Sequence, residues 1–164
     1  MVKKVWIFGA LALLITGCAA QPLETVSDVY VEQTPALAQQ ITIDLPEESA
    51  LPVMECDGEK LYLCDGYELR VQTLRSADLN SVLQEVTGYG KDRIALIETD
   101  AGAYRRYDCG WCTAGTEGEL VGRTAVIDDG SYCYCVTALA ASEAANDLKQ
   151  QWQHVFSSLE LRQY

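Results

Sequence analysis

The sequence predicts an α+β domain in which an antiparallel meander sheet carries two helices, and three observations predict it. Apolar and polar residues alternate in several short runs. Asp-Gly and Glu-Gly pairs, the residues that hairpin turns favour, separate many of these runs. Two longer stretches, one between strands and one near the end of the chain, repeat apolar residues at three- and four-residue spacing. Links this short join only antiparallel neighbours, so the helices pack on the sheet instead of connecting parallel strands.

The domain is expected over residues 41–164, behind a leader and a tether. Lys3 and Lys4 precede the apolar run Val5 to Leu14, which is shorter than the roughly 20 residues a spanning helix needs, and Ile15-Thr16-Gly17-Cys18 closes it. This pattern is that of a lipoprotein signal over residues 1–17, cleaved before Cys18, whose sulfur takes a diacylglycerol and anchors the protein to a membrane. Residues 18–40 mix Pro, Ala, Gln and acids without a sustained apolar period. As a flexible coil they would separate the domain from the lipid by roughly 25 Å.

Ile41 to Leu45 alternates as a first strand and ends at Pro46. Val53 to Cys56, Lys60 to Cys64 and Tyr67 to Leu74 follow as strands turned at Asp57-Gly58 and Asp65-Gly66. Ser76-Ala77-Asp78 offers an N-cap for a helix with Leu79, Val82, Leu83 and Val86 on one face, stopped near Gly88. Four strands, Ile94 to Thr99, Tyr104 to Thr113, Leu120 to Asp128 and Tyr132 to Leu139, then join at Asp100-Ala101-Gly102, Glu117-Gly118 and Asp129-Gly130. Ser142 is placed to cap the last helix, whose stripe is Leu148, Trp152, Val155 and Leu159.

Charge narrows the function. The chain carries 12 basic and 24 acidic residues, and loss of residues 1–17 removes Lys3 and Lys4, which leaves 10 against 24. A surface this acidic argues against nucleic acid as a partner, and anionic headgroups would repel it, so the acyl anchor must hold the domain to the membrane. Hydrolase signatures such as GxSxG and HExxH do not occur, and His154 lies off the helix stripe without an evident catalytic partner.

The segments DGYELRVQTL at Asp65–Leu74, VTGYGKDRIAL at Val86–Leu96, YDCGW at Tyr107–Trp111, DDGSYCYCVT at Asp128–Thr137 and WQHVFSSLEL at Trp152–Leu161 are the marks of a resemblance. With the order of elements, they make the chain from about Ile41 to Leu161 similar to small bacterial surface lipoproteins with a PsbP-like α/β-sandwich domain. The resemblance implies a fold and, by fold analogy alone, a docking or assembly role.

After Cys18, six cysteines remain, which allow 15 connectivities if all pair. Hairpin registers centred on Glu117-Gly118 and Asp129-Gly130 put Val126 opposite both Cys109 and Cys133. The two would then lie roughly 9.6 Å apart, beyond the roughly 7 Å limit for a disulfide. A shifted hairpin turn would instead let Cys56 bridge Cys64. Cys109-Gly110-Trp111-Cys112 has CxxC spacing, and with Cys133 and Cys135 it offers four thiolates to a metal, although alternation sends Cys109 and Cys112 to opposite faces. Buried thiols or simple disulfides are the structural reading of the same residues.

Trp111, Tyr132 and Tyr134 are candidates for an aromatic binding surface on a sheet face left without a helix, and core or cross-strand packing is the structural reading of the same rings. The expectation is therefore a lipid-anchored protein on the extracytoplasmic face of a membrane. Ala19 is compatible with outer-membrane sorting where the cell has such a membrane. It would have no cofactor and no enzymatic activity, and would bind or support a protein partner in the cell envelope. The alternative is a thiol-based redox or zinc-binding lipoprotein that uses Cys109, Cys112, Cys133 and Cys135.

Overall fold

A computed structural model describes residues 38–45, 51–75 and 78–162. The signal, Cys18 and most of the expected tether lie outside them. Among the described residues the strands are β1 (Gln40–Thr42), β2 (Met54–Cys56), β3 (Glu59–Cys64), β4 (Tyr67–Arg75), β5 (Leu96–Asp100), β6 (Arg105–Ala114), β7 (Glu119–Asp128), β8 (Tyr132–Ala141) and β9 (Glu160–Arg162). The helices are α1 (Leu79–Thr87) and α2 (Lys149–Ser157). The protein is α+β: seven strands form one antiparallel sheet in the order β2-β3-β4-β8-β7-β6-β5, and β1 pairs with β9 in a separate ribbon. Two meanders, β2–β4 and β5–β8, therefore meet along the β4–β8 ladder.

Local chemistry explains the expected boundaries. Asp57 and Gly58 both have positive φ, 41° and 84°, as the tightest hairpin turns require. Asp78 caps α1 by accepting the Ser81 N–H at 3.1 Å and the Ser81 hydroxyl at 2.6 Å, and the second of these is the larger cause holding its carboxyl below the ordinary range. Gly88, at φ 81°, ends the helix and returns its N–H to the Gln84 carbonyl.

The last helix is a correction. Ser142 does not cap it: its N–H reaches the Glu119 carbonyl at 2.9 Å and its hydroxyl the Glu119 carboxylate at 3.2 Å, which prolongs the β7–β8 pairing. The chain turns through residues 142–148 before α2 begins. The stripe itself is as expected, with Leu148, Trp152, Val155 and Leu159 all buried.

The two helices take opposite faces of the sheet. On one, Trp152, Val155 and Phe156 of α2 meet Leu69, Ala125, Ile127, Tyr134 and Val136. On the other, Val82 and Leu83 of α1 meet Tyr107, Cys109, Val126, Cys133 and Cys135. Alternation along β7 and β8 sorts neighbouring residues into the two cores. The central strands thus have no helix-free face of the kind expected for an aromatic binding surface.

Candidate functional site

The residues singled out from sequence do not gather into one site. Tyr134 is fully buried under the α2 layer, with Tyr132 packed beside it at a ring separation of 6.3 Å. Trp111 belongs to the other face, where it packs with the α1 core and its indole N–H donates to Thr124 Oγ1 at 3.0 Å. Its ring occupies the space a side chain at Gly122 would need. The proposed surface of Trp111, Tyr132 and Tyr134 is corrected accordingly: the strand pleat divides it.

The thiols are divided too. Cys56 and Cys64 cannot form the expected bridge in this register, because Cys56 pairs with Glu59 at one end of β3 while Cys64 pairs with Tyr67 at the other. They are five residues apart along the hairpin, roughly 17 Å, and point to opposite faces. Val126 stands opposite Tyr107 and Cys135, two residues from the expected register. The shift leaves Cys109 and Cys133 farther apart, since they pair with Thr124 and Asp128.

Cys109, Cys133 and Cys135 are buried on the α1 face, whereas Cys112 is exposed on the other. Burial first, and then the Asp108 carboxylate, pushes the Cys109 thiol up to about 11. Burial also raises Cys135, with smaller contributions from Cys133 and Glu85. Thiols held protonated are poor nucleophiles and poor metal ligands. Among the described residues, no group of three or more His, Cys, Asp or Glu could hold a metal ion.

What the strands do assemble is a groove that sequence reasoning missed. Ile97, Asp108, Gly110, Val121 and Arg123 lie on the α2 face of β5, β6 and β7 through the pairs Ile97–Asp108, Gly110–Arg123 and Cys112–Val121. Ala145, Lys149 and Trp152, from the approach to α2 and its first turn, face them across a space of about 650 Å³. This is the size of pockets that enclose small molecules. Ile97 on the outermost strand is 69% exposed, so the groove opens at the sheet edge.

Its polar groups are ordered. Arg106 grips Asp108 with two bonds of 2.8 and 3.0 Å and donates to the Phe156 carbonyl at 2.8 Å. Arg123 lies over the Phe156 ring, 4.5 Å from its centre, with Asp108 only at 4.0 Å and Gln153 at 3.4 Å. Burial pulls the Arg123 guanidinium below its usual range, Asp108 pulls it back and Arg106 lowers it further. It stays cationic, because arginine does not deprotonate in proteins. Among the described residues two cations, Arg123 and Lys149, and one anion, Asp108, therefore line the groove, and that anion is already held by Arg106.

Comparisons with known proteins give the fold and little else. No family model matches the chain, and no curated protein matches it in sequence. Among solved structures it is similar to a protein of Bacteroides thetaiotaomicron VPI-5482, with a TM-score of 0.50 and 11% identity over 75% of this chain and 45% of that one. This chain thus spans less than half the length of that protein. A second similar structure is the Saccharomyces cerevisiae Ran-binding protein Mog1p, with a TM-score of 0.49 and 14% identity over 75% of this chain and 90% of that one. The first likeness supports the α+β fold; neither speaks to the groove.

Proposed function

We propose that this protein is a lipid-anchored, extracytoplasmic binding module of the cell envelope, held to the membrane through Cys18 and without enzymatic activity of its own. The observation that carries the binding part is the groove between β5–β7 and α2, an apolar space floored by rigid strands with arginine at one side. The anchor rests on the Lys3 to Cys18 pattern, and the resemblance to PsbP-like surface lipoproteins agrees with a docking or assembly role. The redox or zinc alternative is disfavoured by the dispersal of Cys109, Cys112, Cys133 and Cys135 over both faces and by the burial of three of them.

Fractionation of cells expressing Cys18→Ser tests the anchor. The variant is expected to leave the membrane fraction or to accumulate as an uncleaved precursor. A variant that is cleaved and still sediments with membranes at high salt would overturn the lipoprotein reading.

A further inference from the structure

The groove's chemistry narrows what it takes. Gly110 sits inside the ten-residue strand β6, without the positive φ that would demand glycine. A Cβ built there meets nothing closer than the Gly122 carbonyl oxygen at 3.9 Å. Neither turn geometry nor close packing accounts for it, and glycine inside a strand weakens the strand. Its position opposite Arg123, on the face that carries Asp108, means that the missing side chain is what keeps the floor open.

The charge at that opening is of the opposite sign to the protein as a whole. Against a formal charge of −12 for the chain, the groove presents Arg123 and Lys149, while its one carboxylate among the described residues, Asp108, is occupied by Arg106. Arg123 is fixed over the Phe156 ring and has no bidentate carboxylate of its own among the described residues. A planar guanidinium held in this way, beside apolar walls from Ile97, Val121, Ala145 and Trp152, suits a single carboxylate on an apolar body.

Resting on the reading of the groove as the binding site, we infer that it binds a small monocarboxylate with an apolar tail, the tail lying over Gly110 and the carboxylate meeting Arg123. Titration calorimetry on the full chain carrying Cys18→Ser, so that no acyl group of its own competes, tests this with decanoate and decyltrimethylammonium as probes. Decanoate should bind one equivalent, about tenfold or more tighter than the ammonium probe, because charge-assisted bonds are the strong ones. Arg123→Gln should weaken decanoate about 10- to 100-fold and remove the preference. Gly110→Val, whose Cβ meets nothing closer than 3.9 Å and whose branched side chain suits a strand, should keep the fold and reduce binding of both probes.

The failures separate. If the ammonium probe binds as well as decanoate and Gly110→Val abolishes both, the groove stands and the carboxylate inference falls. If both probes bind wild type and Gly110→Val equally, the groove is not their site and the reading beneath the inference falls with it. Failure of decanoate to bind wild type also overturns the inference, without recourse to any variant.

Discussion

The two faces of the central sheet are built from the same strands and differ in kind. The α2 face buries large side chains, Tyr67, Tyr134, Trp152 and Phe156, and gathers Arg106, Asp108 and Arg123 at its edge. The α1 face is smaller and fills its centre with Val82, Leu83, Val126 and three cysteines. In this comparison, three of the cysteines that draw the eye in the sequence serve the α1 face as small apolar side chains, and the groove lies on the other face without taking Cys112, Tyr132 or Tyr134 into its lining.

The largest test of the difference is removal of one buried anchor from each face. Phe156 is fully buried and carries Arg123 on its ring, so Phe156→Ala should cost about 4 kcal/mol. Leu83→Ala on the opposite face should cost about 3 kcal/mol, with a smaller neighbourhood to lose. Urea unfolding of the two variants measures both, and a larger loss at Leu83 would reverse the ranking of the faces. The thiols give a companion measurement. Cys56 and Cys112 should react with an alkylating reagent in the folded protein, whereas Cys109, Cys133 and Cys135 should react only as it unfolds.

Gly122→Ala asks how tightly the α1 face is closed at its rim. The new methyl would fall where the Trp111 ring now lies, near the bond from the indole N–H to Thr124 and the 3.1 Å contact of Thr124 with Thr137. Displacement of the ring should cost about 2 kcal/mol and change Trp fluorescence. Unchanged stability and emission would show that the ring can move aside at no cost, and that this rim is looser than its packing implies.

The fold was largely legible because alternation and Asp-Gly turns are local signals, as β2 to β4 show. The register of β6 to β8 was displaced by two residues for a definite reason. The turns are centred not on Glu117-Gly118 and Asp129-Gly130 but one residue away, on Thr116-Glu117 and Gly130-Ser131, inside the bonds from Gly115 N–H to the Gly118 carbonyl and from Asp129 N–H to the Tyr132 carbonyl. The second loop is held by the Asp129 carboxylate, which accepts from the N–H groups of Ser131 and Tyr132. No pair count from the turn residues would reveal that. The groove was hidden because its floor and wall come from β6 and the approach to α2, far apart in sequence. Its one local mark, Gly110, sits inside a CxxC pattern that pointed to metal chemistry.

The smallest test concerns how the entering chain is fixed to the α2 face. The Gln39 N–H donates to the Tyr134 hydroxyl at 2.9 Å, which in turn donates to Asp129 at 2.9 Å, and Gln39 Nε2 reaches the same carboxylate at 3.3 Å. Gln39 and Gln40, at the end of the stretch read as tether, thus belong to the folded domain. Burial raises the Tyr134 hydroxyl to about 12, so it stays a donor. Burial would raise Asp129 as well, but bonds from Tyr132, Ser131, Tyr134 and Gln39 together hold it below the ordinary range. A carboxyl lowered on folding contributes stability that is present above its unfolded pKa, near 4, and is lost as pH falls through the folded value. At pH 7, Asp129→Asn should therefore cost about 1 kcal/mol, a figure that allows for solvent screening at a half-buried site. The gap to wild type should close in acid, where the protonated Asp129 resembles the amide. A gap that stays constant from pH 7 to pH 3 would mean that the bonds depend on shape and not on charge, and that the chain is fixed to this face by packing alone.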